Sequence, residues 1–200
     1  MINDSFALLN CIDLKVVARV EVISEVLEKS IQEIEQQVKE LTQEGLLLET
    51  RKGVMLTQEG RSRLKGEYDE RYHALRNTDH ILQLHSRFDV VNAEFLEASS
   101  DWQQMKVAGR SIPNDHSDPD YDAEVIARMV QTVETLEQIL NQLTPHIPRY
   151  TTYAKRFNAA LDQVDDLNYQ YLLDPKVDSL HTIWFEFHED LLKVLGRGRR

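Results

Sequence analysis

The side chains best suited to chemistry lie in two polar stretches, each set beside strongly apolar sequence. Asn114, Asp115 and His116 stand together in Gly109-Arg-Ser-Ile-Pro-Asn-Asp-His-Ser-Asp-Pro-Asp-Tyr-Asp122. Asp178, His181 and His188 lie on the last apolar segment, Val177 to Leu195. Amide, carboxylate and imidazole groups of this kind ligate metals or hold polar ligands. Asp178 and His181 are three apart, so one helix face can present both. His181 and His188 are about 10 Å apart along a helix axis, too far to share one ion unaided. The plainer reading of the loop is that it bonds to itself through Asx turns. For the histidines it is hydrogen bonding within a polar core network. If the two stretches meet around a cavity, that cavity is a small-molecule effector site. No metal or other cofactor is expected.

Catalytic signatures are missing from the sequence. It has no Gly-rich phosphate loop, no H-E-x-x-H, no C-x-x-C and no G-x-S-x-G. Asp, Glu and His are plentiful, but abundance fixes no geometry. An enzyme is not expected; a metal- or ligand-dependent enzyme in the helical part is the weakest alternative.

A third set of residues points elsewhere. Arg51 and Lys52, with Arg61, Arg63 and Lys65, form the densest basic group of the N-terminal part. They suit contacts to phosphates, or equally the solvation of a hairpin tip and a helix start. Gln32, Gln36 and Gln37, with Lys39, lie on one predicted helix, where glutamine can read adenine edges.

The elements that must carry these residues can be read from spacing. Ser30 with Glu33 is a capping box. Ile31, Ile34, Val38 and Leu41 then repeat at helical spacing, and Gly45 is a natural stop. Leu46–Thr50 and Val54–Thr57 read as short strands around a turn at Arg51-Lys52-Gly53. Upstream, Asp4 can cap a helix through Phe6, Leu8, Leu9 and Ile12. Residues 15–20 suit a short extended stretch, and Val22, Ile23, Val26 and Leu27 space a second helix. Helix, short strand, helix, helix and basic-tipped hairpin is the order of a winged helix-turn-helix.

The stretches Lys39-Glu-Leu-Thr-Gln-Glu-Gly-Leu46 and Val54-Met-Leu-Thr-Gln-Glu-Gly-Arg61-Ser-Arg-Leu64 resemble the end of the recognition helix and the wing of MarR-like bacterial regulators. The loop N-D-H-S-D-P-D-Y-D and the segment H-T-I-W-F-E-F-H-E-D-L are similar to the C-terminal part of proteins grouped with them. The resemblance implies a DNA-binding transcriptional regulator, dimeric on double-stranded DNA. The recognition helix would enter the major groove and the wing would meet the backbone. Gln32, Gln36, Lys39, Arg51, Lys52, Arg61 and Arg63 are its expected DNA contacts.

Charge opposes this reading. The chain carries a net −11, and residues 1–75 hold ten Lys and Arg against fourteen Asp and Glu. Glu33, Glu35, Glu40 and Glu44 surround the single Lys39 on the predicted recognition helix. Affinity for DNA draws heavily on Lys and Arg at phosphates. The acidic surface better suits a protein–protein adaptor with a winged fold and no DNA binding.

The remainder reads as helical. Residues 67–106 contain no Gly or Pro, with Asn77-Thr-Asp79 as a break. Ile81, Leu82, Leu84, His85, Phe88, Val91, Phe95 and Leu96 form a broad apolar face ending at Trp102, for packing within the chain or across a dimer. Asp118-Pro119 starts a helix to about Leu143, and another helix spans residues 150–167. Asp174-Pro175 looks like the cap and first turn of the last one. The tail Gly196-Arg-Gly-Arg-Arg200 is basic.

The expected fold is mainly α. Residues 1–66 make a winged helix-turn-helix with a small β wing, and residues 67–200 make a helical dimerisation domain that senses a ligand. No stretch approaches the ~20 apolar residues of a membrane span, and no signal peptide is evident. The lone Cys11 suits a reducing, cytoplasmic setting and a buried position.

Overall fold

The computed structural model describes residues 5–107 and 109–198, so Asp4 and the last two arginines lie outside the described residues. Packing divides the chain into two units, Met1–Asn77 with Glu186–Arg200, and Thr78–Phe185. This differs from a division after residue 66. Residues 67–77 and the end of the chain belong with the N-terminal unit, because Tyr68 and Asp190 are buried together there.

The first unit runs α1 (Phe6–Lys15), α2 (Val20–Leu27), α3 (Ile31–Gln43), β1 (Leu47–Thr50), β2 (Gly53–Leu56) and α4 (Gln58–Tyr72). The end of α9 (Leu180–Val194) completes it. The Ser30 hydroxyl accepts the Glu33 amide at 3.3 Å, and the Glu33 carboxylate accepts the Ser30 amide at 2.9 Å. The Ser30 hydroxyl also donates to that carboxylate at 2.7 Å, and this bond, then the one from the Ser30 amide, holds the Glu33 carboxyl below its usual range. Ile34, Val38 and Leu41 are buried, whereas Ile31, at the first turn, is exposed. After Gly45 the chain forms a hairpin with a two-residue turn at Arg51-Lys52. Of the expected extended stretch, Ala18 pairs with Val54 through bonds of 2.8 and 3.0 Å. Gly53 makes that approach possible. A Cβ there would stand 2.5 Å from the Ala18 carbonyl oxygen, and its φ is 138°.

Polar groups run through the core of this unit. The Tyr68 hydroxyl lies 2.7 Å from Asp190 Oδ1 and 2.5 Å from Asn10 Oδ1. Lys15 Nζ donates to Glu186 Oε1 at 2.7 Å. Asp190 and Glu186 are buried, and buried carboxylates are tolerated only with such partners.

The second unit holds α5 (Asp79–Gln103), β3 (Gln104–Val107), β4 (Arg110–Pro113), α6 (Pro119–Leu143), α7 (Thr151–Asp165), α8 (Gln170–Leu173) and the start of α9. Helices α5 and α6 pack along their lengths. Ile81, Leu84, Phe88, Val91 and Phe95 are buried on α5, and Val125, Met129, Val133, Leu136, Ile139, Leu140 and Leu143 on α6. Leu96, expected on that face, is instead 52% exposed. Trp184 stacks on Phe95 at 4.0 Å between ring centres, meets Phe157 edge-on, and donates its indole N–H to Asn92 at 2.9 Å. The aromatic is buried with its polar atom satisfied.

Two elements differ from expectation. The hairpin β3–β4, with Met105 opposite Ile112, stands where a helix end and a loop were expected. Asp174 caps a turn rather than α9, and Ser179 receives the Thr182 amide at the helix start. Among the described residues, no helix is long and apolar enough to cross a membrane.

Candidate functional site

In the first unit, the capping box fixes where α3 begins and its buried stripe fixes which face turns outward. Gln32, Glu35, Gln36, Lys39, Glu40 and Gln43 are therefore exposed together. Gln36 is not idle, since its amide donates to Glu40 at 2.6 Å. Arg51 and Lys52 project from the hairpin tip, both exposed. The turn beneath them is held by Thr50, which accepts the Lys52 amide at 3.2 Å and donates to the Gly53 carbonyl at 2.8 Å. Among the described ion pairs, Lys39, Arg51 and Lys52 have no carboxylate partner. Arg63 does, pairing with Glu67 at 2.9 Å along α4, while Arg61 stands 3.9 Å from Asp13. Exposed pairs of this sort contribute about 0.3–0.5 kcal/mol, so they yield readily to a stronger anion.

The loop after β4 is a closed network. Asn114 Oδ1 accepts the His116 amide at 3.0 Å, Asp115 Oδ1 accepts the Ser117 amide at 3.1 Å, and Asp118 caps α6. The Asn114 amide donates to Asp122 at 2.8 Å and to the Trp102 carbonyl at 3.2 Å. His116 Nδ1 lies 3.0 Å from Asp122 Oδ2, and its ring packs at 4.4 Å from Trp102. Hydrogen bonds to Ser117 hold the Asp115 carboxyl below its usual range. These bonds account for Asn114, Asp115 and His116 without a ligand.

Asp178 receives a two-pronged contact from Arg156, Nε at 2.8 Å and Nη2 at 2.6 Å. His188 belongs to the first unit, whereas Asp178, His181 and the loop belong to the second. Among the described residues no group of three or more His, Cys, Asp or Glu could hold a metal ion.

No family model, curated protein or solved structure matches this chain. Its chemistry rests on its own geometry.

One feature was out of reach of spacing. Arg61 and Lys65 on α4 line a groove of about 470 Å³ with Arg76, Lys193 and Arg197. The contributing segments are more than a hundred residues apart in the chain, so only the α4 part of the basic group was visible in sequence.

Proposed function

We propose that the first unit is a winged helix-turn-helix and the protein a DNA-binding transcriptional regulator. What carries the reading is the Ala18–Val54 bridge. It joins the segment between α1 and α2 to the hairpin whose tip carries Arg51 and Lys52, and α3 leads into that hairpin through Gly45. In this reading α3 enters the major groove, with Gln32, Gln36 and Lys39 at base edges. Arg51 and Lys52 meet phosphates on the flank, with Arg61 and Arg63 behind them.

Since α3 is acidic, one copy would bind weakly. A homodimer on two half-sites spaced about 34 Å would multiply the contacts. Packing of α5 against α6 consumes most of the α5 apolar stripe, so the affinity gained from two half-sites, and not an unfilled face, is what favours a dimer.

One observation favours a second reading. Glu35, Glu40 and Glu44 are exposed around α3, which suits an adaptor that meets a basic protein partner and leaves DNA alone. Fluorescence anisotropy on DNA flanking the gene, across a salt series, separates the two. Arg51→Ala with Lys52→Ala should weaken binding to all sequences and lower the salt slope by about two. Absence of binding at low salt, or an unchanged slope, favours the adaptor.

A further inference from the structure

The groove on the first unit has a charge unlike that of the chain. Among the described residues, two carboxylates, Asp13 and Asp69, face five cations there in a protein of net charge −11. Asp69 is shared between Lys65 at 2.7 Å and Arg76 at 2.7 Å. Asp13 is shared between Lys193 and, more distantly, Arg61. Each carboxylate is thus shared by two cations, and the lining keeps a surplus of positive charge before Arg197 is counted. Hydrogen bonds from Lys65 and then Arg76 hold the Asp69 carboxyl below its usual range, so it stays ionised and orients both cations.

The far wall is built to stay in place. Arg76 Nε donates to the Val194 carbonyl at 3.0 Å, setting a cation at the negative end of α9. The chain then turns through Gly196, with the Gly196 amide on Lys193 O and the Arg197 amide on Leu192 O. A Cβ at Gly196 would stand 2.8 Å from the Arg76 guanidinium carbon. The rim is open, since the Arg61 and Lys65 side chains are 52% and 78% exposed.

We infer that this groove binds a small phosphorylated molecule, with Arg61, Lys65, Arg76 and Lys193 holding a phosphate or diphosphate group. Guanidinium forks match the tetrahedral oxygens of phosphate, and ammonium groups add point charge. A single carboxylate would offset too little of the surplus, whereas a diphosphate offsets most of it. The volume lies in the range of small-ligand sites. The assignment goes beyond the DNA reading and does not depend on it.

Calorimetric titration of the full chain with sodium pyrophosphate, at low ionic strength, tests the assignment. Citrate and a short DNA duplex serve as comparators. Saturable binding is expected at one site per chain. Arg61→Ala and Lys65→Ala should each weaken it about tenfold, the scale of one charge-assisted hydrogen bond. Both side chains are largely exposed, so the variants should keep the parent's circular dichroism. Lys65→Glu supplies a charge reversal if either alanine variant does not. The hairpin variant Arg51→Ala/Lys52→Ala should bind pyrophosphate as the parent does. Four results would each overturn the proposal: no saturation below about 10 mM, equal loss in the hairpin variant, citrate binding as tightly as pyrophosphate, or a duplex that binds while pyrophosphate does not.

Discussion

Replacing Gly53 by alanine should separate the hairpin from the segment that ties it to the helices. Gly53 has φ 138°, a region left almost wholly to glycine, and forcing another residue there costs about 1–3 kcal/mol. The new Cβ would also stand 2.5 Å from the Ala18 oxygen and 2.7 Å from its carbonyl carbon. Both are backbone atoms and cannot swing aside. Relief requires the strands to part, with loss of the two Ala18–Val54 hydrogen bonds, each worth about 0.5–1.5 kcal/mol net. The total is about 2–6 kcal/mol. Gly45→Ala is the matched control. Its φ is 77°, and a Cβ there meets nothing within 4 Å, so only a conformational cost of about 1–2 kcal/mol remains. Urea unfolding followed by circular dichroism gives the two stabilities. Hydrogen exchange at the Ala18 and Val54 amides reads the bridge directly, and anisotropy reads its effect on DNA affinity. Agreement of the two variants within about 0.5 kcal/mol, or amides as protected as in the parent, would show that the bridge does not depend on Gly53.

Other outcomes follow from the second unit. Burial raises the Glu137 carboxyl, with an Asn158 hydrogen bond opposing it. A raised folded-state value means that Glu137 favours folding below the usual carboxylate range and loses that contribution as pH rises through the raised value. Glu137→Gln should therefore be more stable than the parent at pH 7, with the gain shrinking as pH falls through the carboxylate range; a gain that grows on acidification contradicts this sign. Arg156→Lys cannot reproduce the two-pronged contact with Asp178 and should lose about 1–2 kcal/mol in chemical denaturation; an unchanged midpoint would show the fork to be idle. Asn114→Ala removes the amide that links Trp102, His116 and Asp122, at a cost of about 1–3 kcal/mol. Trp102 emission should shift on that change, and an unaltered spectrum would place the loop's support elsewhere.

Local rules set much of this molecule. The Ser30 capping box, the buried Ile34, Val38 and Leu41, the hairpin turn at Arg51-Lys52 and the Asp118-Pro119 helix start all follow from residues within a few positions of one another, where backbone geometry and periodicity decide. The Asx turns at Asn114 and Asp115 are equally local, and they absorb side chains that otherwise look like ligands. The β3–β4 hairpin was less evident, since four-residue strands lack a distinctive period and the preceding segment suits a helix. Distant pairing needed the tertiary structure. Arg156 claims Asp178, Tyr68 meets Asp190, and Lys193 joins Asp13 across 180 positions. Nothing in the spacing of those residues specifies such partners, because they are chosen by how helices stack and by the cost of burying a charge alone. The unit boundary and the basic groove arise in the same way, when the end of α9 packs with α1 and α4 and brings Lys193 and Arg197 beside Arg61 and Lys65.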